Sequence, residues 1–245
     1  MTLHRPDTSN RVDLDLAAEI RAVCQEIREN DDVRVAVVTG SGRCFSVGRE
    51  PLPEELTSGS TTQRLDWLEQ LRVADAIASL PIPVIVSING DALDHGLEIA
   101  LAGDLRITVA EAKFGLTDLT KKGSFPWDGG TQRLPRLVGP AWARDMILTS
   151  RVIDAAQALD IGLVNRLVVA AELEQETRHI AETISRGGPI AVRYAKEAIN
   201  KGMDLSLAQG LRLEADLNII LQSTADRAEG LRSFTEKRTP RFSGR

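Results

Sequence analysis

Cysteine is scarce in this chain, and its scarcity limits both the setting and the chemistry. The 245 residues include two cysteines, Cys24 and Cys44. Two such residues far apart form no disulfide framework and match no metal-ligand spacing. We therefore expect a reducing, cytoplasmic setting and no bound metal.

Long apolar runs and blocks of basic residues are also missing from the sequence. No run is long enough to span a bilayer, and the opening MTLHRPDTSN has no apolar core of the kind that a secretory signal needs. The formal net charge is −5, and Lys and Arg never gather into a long block. We expect neither a membrane nor a nucleic acid as a partner.

The composition that remains is typical of a globular protein with a buried core. Hydrophobic residues make up 42% of the chain and charged residues 27%. Two β-branched runs, at 33–38 and 84–88, are separated by a helical pattern at 63–80 that ends before Pro81. This order favours a right-handed parallel crossover in an α/β fold. After a last predicted strand at 164–169 the pattern is helical, with predicted helices at 171–186, 190–202, 205–221 and 225–237.

The segment 82–131 carries most of the functional signal. Its β-branched strand enters a turn at Asn89-Gly90, and a short apolar helix then begins near Gly96. Two acids follow, Glu98 and Asp118. A helix N-terminus presents unpaired N–H groups and a partial positive charge, which suits it to hold a developing anion.

Several separated stretches resemble the crotonase superfamily, the enoyl-CoA hydratase/isomerase family. They follow one another in the family's order from His4 onward, so the likeness is specific to the fold. Two stretches are similar to the family's oxyanion loops, one to its second acid segment and one to its closing helix. In order, with a fifth stretch before the last, they are DDVRVAVVTGSGRCFSVGRE, IPVIVSINGDALDHGLEIALAGDLRI, AKFGLTDLTKKGSFPWDGGTQRLPRLVG, ARDMILTSRVIDAAQALDIGLVNRLV and EGLRSFTEKRTPRF.

The resemblance implies an α/β fold with a crotonase-like spiral of ββα turns over residues 1–185. It also implies a C-terminal helical trimerisation region over residues 186–245, in a homotrimer or a dimer of trimers. The implied substrate is an acyl-CoA thioester, with no cofactor apart from the CoA that the substrate carries.

Residue by residue, the resemblance assigns an oxyanion hole to two backbone N–H groups, those of Arg49 and His95. Val47 and Gly48 precede the first donor and Gly96 follows the second, and all three are expected to contact substrate. Backbone donors are fixed before the reaction and need no reorganisation as charge develops on the thioester oxygen.

The two acids match the family's catalytic pair. Hydration needs one group to position or deprotonate water and another to supply a proton at the neighbouring carbon, so paired carboxylates suit it. Asp118 stands where the family has a glutamate, and its side chain is one methylene shorter. The alternative to a catalytic role for Asp118 is a surface acid or the N-cap of a helix. The alternative for Glu98 is an ion-paired structural acid inside a helix.

The sequence departs from the family at Asp94-His95-Gly96, where hydratases usually have three glycines. The His95 side chain either faces the acyl group as an acid, base or hydrogen-bond donor, or it has no role in the reaction and only the backbone N–H of His95 matters. Asp128 lies near the place of another catalytic acid in some family members, and it is equally an N-cap for the helix that follows Gly130. Trp127 is expected to form a pocket wall.

Two further expectations concern pairs of side chains. Arg49 and Glu50 either pair with each other or meet a polar acyl group. By resemblance, Phe234 and Lys237 reach the nucleotide end of CoA bound mainly by an adjacent subunit, and they are otherwise an ordinary helix face.

Hydration of a 2-enoyl-CoA is the first hypothesis for function. A second keeps the enolate site but changes the outcome, giving a double-bond isomerase or a hydrolase of a carbon–carbon or thioester bond that uses His95. A third is a crotonase-fold protein that acts by binding or assembly with little catalysis, which the altered glycine loop motivates.

Overall fold

The computed structural model describes residues 1–51, 53 and 59–245. In that part of the chain, a parallel sheet of five strands has the order β1-β2-β3-β5-β8, and a smaller sheet of three has the order β4-β6-β7. The strands are β1 (Thr2–Leu3), β2 (Ala36–Gly40), β3 (Val84–Ile88), β4 (Ala92–Leu93), β5 (Leu105–Val109), β6 (Lys113–Gly115), β7 (Ile153–Asp154) and β8 (Arg166–Val168).

Strand β3 is the centre of the large sheet because it is buried on both faces. All five of its residues are buried, as expected of a β-branched strand between parallel neighbours. Val86 lies opposite Val38 of β2 on one side and Arg106 of β5 on the other. The parallel pairing of β2 with β3 confirms the predicted crossover.

Eleven α-helices surround these sheets in the described residues. The four helices predicted after the last strand match α8–α11 to within two residues at each end. They are α1 (Leu14–Glu29), α2 (Thr61–Leu71), α3 (Ala74–Ala78), α4 (His95–Leu101), α5 (Asp118–Lys122), α6 (Gly130–Leu148), α7 (Ala155–Asp160), α8 (Leu173–Ser185), α9 (Pro189–Gly202), α10 (Leu207–Gln222) and α11 (Ala225–Thr235).

The prediction of a single helix over 63–80 is wrong, because the chain forms two helices, α2 and α3, with a break at Arg72 and Val73. The N–H groups of Val73 and Ala74 donate to Asp128 Oδ2 at 2.8 and 2.9 Å. A carboxylate from a distant segment therefore caps α3 and makes the break favourable.

The helical tail begins against the large sheet. Helix α8 packs on β3 and β5, and α9 is anchored by an ion pair of 2.7 Å between Lys196 Nζ and Asp104 Oδ2. The boundary predicted at residues 185 and 186 falls between α8 and α9. Its meaning as a division between domains stays a prediction.

The small sheet sets the direction of α4. Strand β4 pairs in parallel with β6, and β6 pairs antiparallel with β7. Since β4 ends at Leu93 and α4 begins at His95, one residue, Asp94, makes the turn between them.

Candidate active site

Asp94 holds a conformation that a side chain rarely adopts. Its φ of 51° and ψ of −123° place it where glycine is preferred. Its carboxylate accepts hydrogen bonds from the N–H of Thr117, from Thr117 Oγ1 at 3.1 Å and from the N–H of Asp118 at 3.0 Å. These bonds offset the strain and tie the turn before α4 to the segment that carries Asp118.

The loop that follows β2 lies directly against the start of α4. A Cβ atom on Gly96 would be 2.0 Å from the Ser46 carbonyl oxygen, and one on Gly48 would contact the Asp94 side chain at 3.6 Å. Within the described residues, neither the N–H of Arg49 nor that of His95 donates to a protein acceptor. This packing brings the two predicted oxyanion donors onto neighbouring segments, and their role stays a prediction.

Asn10 positions that loop, and sequence reasoning missed it. Its buried Nδ2 donates to the carbonyls of Ser41 and Cys44 at 2.8 and 2.9 Å, while Ser46 Oγ donates to the Asn10 carbonyl at 2.8 Å. Ser9 and Asn10 both have a φ of 56°. An asparagine in a polar turn was the available signal, but its partners lie more than 30 residues away.

A small, partly open pocket lies beside these segments. Five of the side chains named from the sequence line it, namely Arg49, His95, Glu98, Asp118 and Trp127, together with Asp94, Leu116, Phe125 and Pro126. Val47, Gly48 and Gly96 are not among the residues that line it, and their expected contact with substrate stays a prediction.

The two tail residues do not reach this pocket within one chain. Phe234 is 86% exposed, and Lys237 lies just beyond the end of α11. Their expected contact with CoA concerns an adjacent subunit, so it stays a prediction.

Glu98 is buried in α4, with 2% of its surface exposed. Its Oε1 accepts hydrogen bonds from the N–H groups of Asp128 and Gly130, both at 2.8 Å. Burial raises the pKa of Glu98, although the charge of His95 and the two N–H donors act in the opposite direction. Glu98 has no basic partner in an ion pair within the described residues, so the structural ion-pair alternative is not supported.

Asp118 is the first residue of α5, and the N-cap of that helix is Thr117. The side chain of Asp118 is 19% exposed and forms an ion pair of 2.8 Å with Lys122. Asp118 therefore lies at the mouth of the pocket and is neither an N-cap nor a fully solvated surface acid.

Asp128 does not cap α6, contrary to one of the two expectations. The N-cap is Gly129, which has a φ of 110° and no side-chain cap. Asp128 instead accepts a hydrogen bond from His95, with Oδ2 and Nε2 3.0 Å apart. Burial alone would raise the pKa of Asp128, but His95 and the N–H groups that cap α3 outweigh it and hold the pKa below its usual value.

The His95 ring is packed inside the site. The residue is 3% exposed, and its ring centroid is 5.0 Å from that of Trp127. Trp127 thus forms a pocket wall, as expected, and also orients the imidazole.

The Arg49 guanidinium lies over two indole rings, at 5.1 Å from the Trp67 centroid and 5.8 Å from that of Trp127. Burial lowers the pKa of Arg49, and the nearby carboxylates of Asp118 and Glu98 oppose that shift. Arg49 Nη1 donates to the Glu50 backbone carbonyl at 3.3 Å, so the expected side-chain pairing with Glu50 is not what the structure has.

Among the described residues, no group of three or more His, Cys, Asp or Glu side chains is arranged to hold a metal ion. None of the helices in the described ranges is both long and apolar enough to cross a membrane.

The sequence matches the family described as enoyl-CoA hydratase/isomerase over residues 1–245. A crotonyl-CoA hydratase from Syntrophomonas wolfei is 36% identical over 241 residues, which cover 98% of this chain and 92% of the relative. An (E)-benzylidenesuccinyl-CoA hydratase from Thauera aromatica is 37% identical over 249 residues, which cover 100% and 94%.

The solved structures agree with the sequence comparison. The crystal structure of an enoyl-CoA hydratase from Bacillus anthracis has a TM-score of 0.93 to this chain at 39% identity, and the match covers 100% of this chain and 94% of that one. The chain therefore belongs to the enoyl-CoA hydratase/isomerase family. The predicted crotonase-type α/β fold and the predicted enzyme of the hydratase type are confirmed at that level.

Proposed function

We propose that this enzyme adds water to, or removes it from, the double bond of a 2-enoyl-CoA thioester. The thioester carbonyl oxygen is held by the N–H groups of Arg49 and His95, and Glu98 and Asp118 handle water and proton. The CoA of the substrate is the only carrier group that this reaction needs.

In the hydration direction, the oxygen of water bonds to C3 while the C2–C3 π pair moves onto the thioester as an enolate. The two N–H donors stabilise that anion, and C2 then takes a proton from an acid in the pocket. Removing one such donor typically lowers the rate by about a hundredfold or more. The neighbouring positions of the two N–H groups support this assignment.

The observation that carries the proposal is the meeting of two carboxylates with two unpaired N–H groups at one pocket. Glu98 is buried with a raised pKa, whereas Asp118 lies at the mouth in an ion pair with Lys122. Unlike environments of this kind separate the roles of two carboxyl groups, and the raised pKa brings Glu98 nearer its protonated form.

A panel of enoyl-CoAs of different acyl length tests the proposal. We expect loss of the conjugated thioester absorbance and a product heavier by one water, with Glu98→Gln reduced at least a hundredfold. No turnover across the panel, or a product of unchanged mass, would contradict hydration.

We also propose that the working form is a homotrimer or a dimer of trimers joined through α9–α11. The support is the number of large apolar side chains that these helices expose in the single chain, more than an isolated soluble surface usually has. They are Ile199 at 67%, Leu207 at 80%, Leu211 at 56%, Ile219 at 69% and Phe234 at 86% exposed.

A further inference from the structure

His95 and Asp128 form a buried pair beside the same pocket. The roles proposed for Glu98 and Asp118 do not involve this pair. Three donors converge on Asp128 Oδ2, namely Nε2 of His95 and the N–H groups of Val73 and Ala74. The other ring nitrogen, His95 Nδ1, is buried and has no hydrogen-bond partner in the described part of the chain. An unpartnered imidazole nitrogen in the wall of a reaction pocket is unusual in a folded protein.

The hydrogen bond to Asp128 determines which nitrogen of His95 changes its protonation. An ionised carboxylate only accepts hydrogen bonds, so Nε2 must carry the hydrogen that it shares with Oδ2. The neutral ring then has its lone pair on Nδ1, and a second proton can be added only there. Asp128 thus holds the imidazole in the tautomer in which Nδ1 can accept a proton.

The charges around His95 come from several elements. Asp128 lies next to the ring in the loop before α6, and Glu98 follows it on α4. The Arg49 guanidinium lies over the Trp127 ring, 5.8 Å from its centroid, and Arg72 Nε lies 3.7 Å from Asp128 Oδ1. Asp118 lines the same pocket. Three carboxylates and two guanidinium groups therefore lie around the ring and its pocket.

We propose that His95 Nδ1 is a proton-transfer site of the reaction and that Asp128 is its positioning residue. This inference rests on the proposed hydration. As the oxygen of water bonds to C3, water gives a proton to Nδ1, and the π pair moves to the thioester enolate. A carboxyl group of the pocket gives its proton to C2, and the imidazolium returns its proton to that carboxylate, so the atoms and charges balance.

Two substitutions separate this role from a structural one. His95→Gln keeps the backbone N–H and a side-chain amide that can donate to Asp128, but it cannot take a proton. Asp128→Asn keeps an oxygen that can accept from the same three donors, but it has no charge. We expect each to lower kcat by about 10² to 10⁴ with little change in KM. His179→Gln, at an exposed histidine on α8, is the matched control and should match the wild type.

The double variant tests whether the two residues act as a unit. If Asp128 acts through His95, Asp128→Asn adds little to the kcat defect of His95→Gln. If Asp128 matters only because it caps α3, the two defects multiply and Asp128→Asn loses thermal stability in parallel with activity. Multiplied defects would overturn the proposal, as would a His95→Gln variant within threefold of the wild-type kcat.

An activity-independent measurement covers the case in which the wild type hydrates no enoyl-CoA. Imidazole ¹⁵N chemical shifts of histidine-labelled protein, with His95→Gln and His179→Gln for assignment, report the tautomer directly. We expect neutral His95 to carry its hydrogen on Nε2 and to gain its second proton on Nδ1. A hydrogen on Nδ1 in the neutral ring would overturn the proposal. If the wild type shows the expected tautomer but hydrates no enoyl-CoA, that result would count against the proposed hydration and not against the tautomer.

Discussion

The Ser46 carbonyl oxygen lies against Gly96, where a Cβ atom would be only 2.0 Å away. Gly96→Ala must therefore push the loop that carries Arg49 away from the start of α4, which separates the two N–H donors. We expect kcat to fall by at least tenfold and the free energy of unfolding to fall by about 1–3 kcal/mol. Enzyme kinetics and urea denaturation measure the two effects.

Gly202→Ala is the control for that substitution. A Cβ on Gly202 meets nothing within 4 Å, so this variant should retain both activity and stability. Wild-type kinetics in Gly96→Ala would show that the loop and α4 need not stay in contact.

Glu98→Gln should stabilise the fold at neutral pH even as it removes activity. Burial raises the pKa of Glu98 in the folded state, so the folded protein loses stability as pH rises from the unfolded value, about 4.3, through that higher pKa. Glutamine has no such cost and keeps an oxygen for the N–H groups of Asp128 and Gly130. The Tm difference between variant and wild type should therefore grow with pH and then level off.

Thermal melts across the acid and neutral range measure this difference, with the exposed Glu111→Gln as the control. A Tm difference that shrinks as pH rises would mean that Glu98 is not held in a desolvated site.

Asp94 carries two opposed effects that two substitutions separate. Asp94→Gly relieves the positive φ but loses the hydrogen bonds to Thr117 and Asp118, whereas Asp94→Ala loses those bonds and keeps the strain. We expect Ala to be less stable than Gly by about 1 kcal/mol. Both should lower kcat, because Asp118 loses its tether. Equal stability of the two variants in urea denaturation would show that the turn is unstrained.

The exposed apolar face of the tail predicts an assembly that charge should disrupt. Leu207 and Leu211 lie one turn apart on α10 and are 80% and 56% exposed. We expect the double change to glutamate to reduce the mass in light scattering from three or six chains toward the 26.7 kDa of one. Leu148→Glu, at a leucine that is 64% exposed on α6 and lies outside α9–α11, is the control. A wild type that already measures as one chain would contradict the proposed trimer.

The sequence predicted those strands and helices whose pattern of buried residues is visible over a few consecutive positions of the chain. Four of the five residues of Val84–Ile88 are β-branched and all five are buried, so the strand could be predicted from composition alone. Strands β4, β6 and β7 have two or three residues each, which is too short for a periodicity to be visible.

The unpredicted parts of the site depend on partners far along the chain. The break between α2 and α3 comes from Asp128, 54 and 55 residues after the N–H groups it caps, and the pairing of Asp128 with His95 spans 33 residues. The sequence did mark Asp94 and His95 as departures from a glycine motif. Only the three-dimensional structure shows that these two residues face different partners, Thr117 and Asp128.

The most direct test of the central claim is the fate of heavy-oxygen water during turnover of a 2-enoyl-CoA by the wild-type enzyme. We expect the wild type to place one heavy oxygen in the acyl chain of an intact CoA thioester. We expect Glu98→Gln to incorporate no heavy oxygen. A product without heavy oxygen would indicate isomerisation, and heavy oxygen in a released carboxylic acid would indicate hydrolysis. Either result would contradict the assignment of this pocket to hydration.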